Sequence, residues 1–291
     1  AGNLSVDSGT IKLDGNYPTG TRNLAYGNTA LDDGSLSGAD NVAIGHAALT
    51  ANTSGANNTA IGSRTLQANT TAGSSTAVGN CALATNSTGS LNTALGVSSM
   101  RFNTLGSQNV GLGVNALESN TEGDNNTAVG VSALGVNTTV DNNTAVGHSA
   151  LGANTTGTPN VAVGSNALCA NTTGTNNVAL GRSALKVNTT SSSNTAIGSF
   201  SLATNTGTNN TAVGRESLYS NTTANNNSAV GMEAGKSNTT GTGLTALGKQ
   251  ALCKNTTGDS NIGVGGRALF DNTTGACNTA LGSNALANNT T

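Results

Sequence analysis

Aromatic rings and charges are what this chain has least of. Only 2% of its 291 residues are aromatic, Trp is absent, and 8% are charged. Proline and methionine occur twice each. A globular enzyme would carry more large apolar side chains around its pocket. A disordered chain of this polarity would carry more charge and more proline. The net charge of −2 and the scarcity of aromatics argue against a nucleic-acid binder. No apolar run approaches the roughly 20 residues that a membrane span requires, so no membrane contact is expected in this segment.

In their place stand 40 glycines and a great deal of Asn and Thr, ordered by a 17-residue unit. The unit reads N-T-A-V-G-x-x-A-L-x-x-N-T-T-G-x-N. It restarts at Asn41, Asn58, Ser75, Asn92, Asn109, Asn126, Asn143, Asn160, Asn177, Asn194, Asn210, Asn227, Leu244, Asn261 and Asn278, after a degenerate copy at Asn23. The step from Asn194 to Asn210 alone is 16 residues. A fixed period of this size makes the chain a stack of near-identical coils, each contacting mainly its neighbours.

Each column of the unit has an expected physical task. Position 4 is Ile, Val or Leu in all fifteen units, and position 9 is Leu in thirteen, with Met100 and Gly235 the exceptions. These columns are read as the core ridges, represented by Ile44, Leu49, Ile61, Leu66, Val129, Leu134, Val146 and Leu151. Position 5 is always Gly; Gly45, Gly62, Gly130 and Gly147 mark a tight corner. Position 12 is always Asn. Asn52, Asn69, Asn137, Asn154 and Asn171 are expected to form a hydrogen-bonded ladder along the stack.

T-A-V-G segments are too short for helices and rich in β-branched residues. Glycine at position 5 and N-T-T-G at positions 12–15 would also break a helix. Positions 1–4 are therefore read as one strand and 7–11 as a second, with turns between. The fold class follows: all-β, a repetitive parallel β-roll, or β-solenoid, of about 16 coils over residues 23–291. Residues 1–22 lack the unit and are read as a cap or the tail of a preceding domain. The last residues, Asn289-Thr290-Thr291, stop inside a unit, so the array is expected to continue. Position 3 is always Ala or Gly, as in Ala43, Gly111 and Ala145. A strand with no charged face reads as buried on both sides, and the small column is expected to face a second copy of the chain.

Chemistry-bearing residues do not converge. His46 and His148 share position 6 but lie six coils apart, about 29 Å at the usual strand spacing, and read as exposed turn residues. Cys81, Cys169, Cys253 and Cys277 fall on different coils or different parts of the circuit, too far apart for an intrachain disulfide. No acidic column recurs as in Ca²⁺-binding β-rolls. Asp32 and Asp33 in the irregular first coil offer one possible cation site, and Glu118, Glu122 and Asp124 one acidic group. No catalytic residue, cofactor or metal is expected. N-T-T is also an N-glycosylation acceptor sequence, although glycans on successive coils would lie within about 5 Å of each other.

N-V-A-I-G at 41–45, N-T-A-I-G at 58–62 and 194–198, and N-T-A-V-G at 126–130 and 143–147 resemble the head repeats of YadA-like trimeric autotransporter adhesins. The longer unit is also similar to repeats of phage and viral tail fibres. The resemblance covers about 270 of the 291 residues, and it implies a left-handed roll whose three chains pack around one axis. The adhesin heads use shorter units, so N-T-T-G is read as enlarging one turn. The implied function is a non-enzymatic structural or adhesive fibre, extracellular on a cell surface or virion. Its partners would be two further copies and a host-surface receptor or glycan, with no nucleic acid. A self-assembling extracellular filament is the alternative. Thr columns at positions 2, 13 and 14 also raise ice binding.

Overall fold

The computed structural model describes residues 22–291 together with the backbone of a strand at 11–14. It is a β-solenoid with a period of about 17 residues and no helix among the described residues. The chain divides into two compact units, residues 1–142 and 143–291.

In the first unit, β1 (Ile11–Asp14) lies antiparallel beside β2 (Asn23–Tyr26), with Ile11 opposite Tyr26. From β2 onward the strands pair in parallel: β3 (Val42–Ile44), β4 (Thr59–Ile61), β5 (Thr76–Val78), β6 (Thr93–Leu95), β7 (Val110–Leu112) and β8 (Thr127–Val129). In the second unit the same parallel succession runs through β9 (Thr144–Val146), β10 (Asn160–Val163), β11 (Asn177–Leu180), β12 (Thr195–Ile197) and β13 (Thr211–Val213). It continues through β14 (Ser228–Val230), β15 (Thr245–Leu247), β16 (Ile262–Val264) and β17 (Thr279–Leu281). Register is strict: each residue opposes the same column of the next coil, as Ala179 opposes Ala196. The interpretation of residues 1–22 as a cap falls largely outside the described residues.

From β2 onward every strand ends at the position-5 glycine. Gly45, Gly62, Gly130 and Gly147 have φ of +133°, +134°, +131° and +132°, a region closed to side chains. A Cβ on Gly62 would also stand 2.5 Å from the carbonyl oxygen of Gly79. The corner therefore needs glycine twice over, for its dihedral and for the approach of the next coil.

The second expected strand does not form. Positions 7–11 make a turn, with left-handed backbone at positions 7 and 9: φ is 56° at Ser132 and 49° at Leu134, 53° at Ser149 and 50° at Leu151. The reason lies in which side chains must point inward. Positions 8 and 9 are both buried, as in Ala133 with Leu134 and Ala150 with Leu151. A strand sends adjacent residues to opposite faces; a left-handed residue returns the second one to the same side.

The core also differs from the sequence expectation at one column. Leu49, Leu66, Leu134 and Leu151 are fully buried. Position 4 is not: Ile44, Val129 and Val146 are half-exposed, and Ile61 is 37% exposed. Position 3 takes the interior instead, with Ala43, Ala60, Ala128 and Ala145 fully buried. The small column therefore packs inside its own coil rather than against another copy. The coil is too thin for two large ridges. A Cβ on Gly111 would stand 2.8 Å from Cγ of Met100. Where the longer Met replaces Leu in one coil, the next gives up its methyl group. Burying each Leu in such close packing is worth about 2 kcal/mol.

Candidate functional site

The interior of the coil is lined by asparagine as much as by leucine. At position 12, Asn69 Nδ2 donates to Asn52 Oδ1 at 2.8 Å and to the Ala72 carbonyl at 3.1 Å. Asn137 donates to Asn120 at 2.9 Å, and Asn171 to Asn154 at 2.9 Å. At position 1, Asn41 Oδ1 accepts the backbone N–H of Asn58 at 3.0 Å, while its Nδ2 donates to the Gly55 carbonyl at 2.9 Å. Both columns are buried and satisfy turn groups that would otherwise be orphaned. Left-handed dihedrals belong to positions 7, 9 and 17 rather than to position 12; Asn125 at position 17 has φ 57°. The 16-residue coil interrupts the ladder of the second unit. Asn205 turns its Nδ2 to the Gly207 carbonyl at 2.8 Å, and Asn188 Oδ1 below it has no hydrogen-bond partner.

These placements bear on two chemistries raised by the sequence. The asparagines of the N-T-T acceptor sequences, including Asn69, Asn137, Asn154 and Asn171, and of N-T-S at Asn52, are fully buried, so the folded chain does not present them to a glycosyltransferase. Position-13 hydroxyls donate to the next coil: Thr104 Oγ1 to the Thr121 carbonyl at 3.0 Å, and Thr239 Oγ1 to that of Thr256 at 3.0 Å. A Thr column committed to the protein is poorly placed to order water.

His46 and His148 are exposed in their turns. All four cysteines are free; Cys277 is exposed and Cys253 is buried, which pushes its thiol pKa up. Asp33 accepts from the backbone N–H of Ser35 at 2.8 Å and from its hydroxyl, which together lower its pKa. Asp124 Oδ1 accepts the backbone N–H of Ser107 at 2.6 Å. Among the described residues no group of three or more His, Cys, Asp or Glu is disposed to hold a metal ion. No described helix is long and apolar enough to cross a membrane.

Two outer faces remain. The first is the outward side of the strands, formed by positions 2 and 4. From β3 to β17 these columns hold only Thr, Ser, Val, Ile and Leu. Leu95 is 51% exposed and Val230 41%. Each unit thus presents an uncharged, largely aliphatic stripe to its surroundings.

The second face is the turn at positions 6, 7, 10 and 11 of the second unit. Glu233 accepts from Gln250 at 2.7 Å, from Lys236 at 3.3 Å and from Arg215 at 3.3 Å, and its pKa is lowered chiefly by the Gln250 bond. Lys236 also pairs with Glu216 at 2.7 Å, which raises the lysine's pKa. Beside this network the rings of Phe200 and Tyr219 meet edge to face with centroids 6.4 Å apart. Phe200, Glu216, Tyr219 and Lys236 line a cavity of about 310 Å³.

No protein-family profile matches the chain, and no curated protein sequence matches it.

Proposed function

We propose that this chain is a non-enzymatic segment of a structural or adhesive fibre, extracellular on a cell surface or virion, assembled as a homotrimer. The carrying observation is the outward strand face. Large exposed apolar patches on soluble proteins mark association surfaces, and here the patch repeats coil after coil in both units without a single charge. An in-register stripe of this kind is matched most simply by the same stripe on another copy. Resemblance to the trimeric adhesin heads supplies the number three. The array then bears load and spacing, and holds attachment surfaces away from the particle.

Sedimentation equilibrium or native mass measurement of the purified chain tests this reading; the expected species is a trimer. Replacing Val146, Val163 and Val213 by Lys places charges on the outward stripe without entering the core, and should yield a folded monomer. A monomeric wild-type chain would overturn the assembly. Masses that grow without limit as concentration rises would favour the end-to-end filament.

A further inference from the structure

The charges of this chain are unevenly placed. Residues 1–142 hold four Lys or Arg and nine Asp or Glu, a balance of −5; residues 143–291 hold seven and four, a balance of +3. All seven of those cations lie at positions 6, 7, 10 or 11: Arg182, Lys186, Arg215, Lys236, Lys249, Lys254 and Arg267. The three aromatic residues of the second unit, Phe200, Tyr219 and Phe270, lie in the same columns. Exposure alone does not account for this. Positions 14 and 17 are also open, with Thr173, Thr190, Asn176 and Asn226 exposed, yet they carry no charge in this unit.

Contacts join the four columns into one surface. Arg182 at position 6 stands 4.5 Å over the Phe200 ring at position 7. Lys236 at position 10 reaches Glu216 at position 7. Arg267 at position 7 and Lys254 at position 11 flank the Phe270 ring at 4.2 and 5.0 Å. Some of the charge is neutralised within the protein: Arg215 and Lys236 by Glu216 and Glu233, and Lys254 by Asp271 at 2.6 Å. Arg182, Lys186, Lys249 and Arg267 are exposed and have no carboxylate partner among the described residues. They are spread over six coils, about 24 Å at strand spacing.

We propose that this face binds an acidic polysaccharide, carboxylated or sulfated, lying along the coils. The four unpaired cations would meet its anionic groups. A sugar residue in an extended polysaccharide advances by about the distance between coils, so charge can match charge along the unit. The cavity beside Phe200 and Tyr219 takes one pyranose ring against the aromatic edges. Glu216, Lys236 and the Tyr219 hydroxyl offer hydrogen bonds to its hydroxyl groups. Nucleic acid is disfavoured because no series of stacking rings runs along the face. This inference rests on the surface-fibre reading and gives the attachment partner a chemical class. It uses the turn face and leaves the outward strand face free for assembly.

The test is binding of the full chain to immobilised heparin, polygalacturonate and neutral dextran, with duplex DNA as competitor. Retention is expected on one or both acidic glycans and absent on dextran, and is lost at roughly 1 M salt, where screening acts within about 3 Å. The sulfated and carboxylated arms identify which anion is preferred. The variant Lys186→Gln/Lys249→Gln should weaken binding about tenfold or more and flatten its salt dependence. Tyr219→Ala should weaken binding several-fold at an unchanged salt slope. All three positions are exposed, so folding is not at stake. No retention on either acidic glycan at low salt, retention unaffected by both variants, or preference for DNA would overturn the proposal. Mass measurement on the same sample separates the two readings: a trimer that ignores acidic glycans removes this inference and leaves the fibre intact.

Discussion

If the position-12 asparagines hold the coils in register, removing one from the middle of its ladder should be costly out of proportion to its size. Asn103 is fully buried. Its Nδ2 donates to Asn86 Oδ1 at 2.7 Å and to the Gly106 carbonyl at 2.9 Å, and its Oδ1 accepts from Asn120 Nδ2 at 2.7 Å. Asn103→Ala therefore strips Asn86 Oδ1 of the donor it has here and leaves one N–H of Asn120 facing a small void. Orphaning a buried polar group costs about 1–3 kcal/mol, and losing the remaining bond a further ~1 kcal/mol. With two groups orphaned the sum is roughly 3–7 kcal/mol, or about two to five orders of magnitude in the local opening equilibrium. Native-state hydrogen exchange reads this directly, because coils of a solenoid open locally and report their own free energies. Amides between residues 86 and 120 should exchange faster by that factor. Thr88→Ala, at an exposed position of the corresponding turn one coil earlier, serves as control and should stay within about 0.5 kcal/mol. Equal protection in the two variants would refute the ladder as a source of stability.

Three shorter predictions use other columns. Gly147→Ala should abolish or severely weaken folding of its unit, since the new Cβ would lie 2.6 Å from the Gly164 carbonyl at φ +132°; loss of cooperative thermal unfolding is the readout. Leu91→Asn should stabilise by about 1 kcal/mol, because Leu91 is 55% exposed with φ 60°, a position filled by Asn in several other coils; a lower denaturation midpoint would count against it. Under a thiol reagent Cys277 should label promptly, whereas Cys253, buried and with its pKa raised, should label only on unfolding; mass mapping of the labelled peptides decides.

The period, the strand at T-A-V, its parallel register and its glycine corner can all be read directly from the chain, because each rests on one residue type recurring at one column. What resisted reading was direction. Alternation places positions 2 and 4 on one side and 3 on the other, but does not say which side is inside. Apolar size favoured Ile44 and Val146; the geometry chose Ala43 and Ala145, because Leu49 and Leu151 already fill a narrow coil. The pairing of Met100 with Gly111 was the available clue, a large residue answered by the loss of a methyl group. Positions 7–11 misled for a related reason. No propensity scale places Leu134 or Leu151 in left-handed backbone, and only the need to bury two consecutive residues does so. The basic turn face was visible as four columns holding every cation after residue 143, but it looks like scattered surface charge until the coils are stacked.

The coil that lacks one residue shows where this architecture tolerates change. Between Asn194 and Asn210 the chain is short by its position-14 residue, yet Thr195 still opposes Thr211 and Asn221 still reaches Asn205 at 2.7 Å. The unpaired acceptor Asn188 Oδ1 is the visible scar. Length is thus policed at the strand and its corner but relaxed at one bend of the circuit. That bend is the place for an engineer to graft a peptide, because the strands of the coils on either side keep their register there.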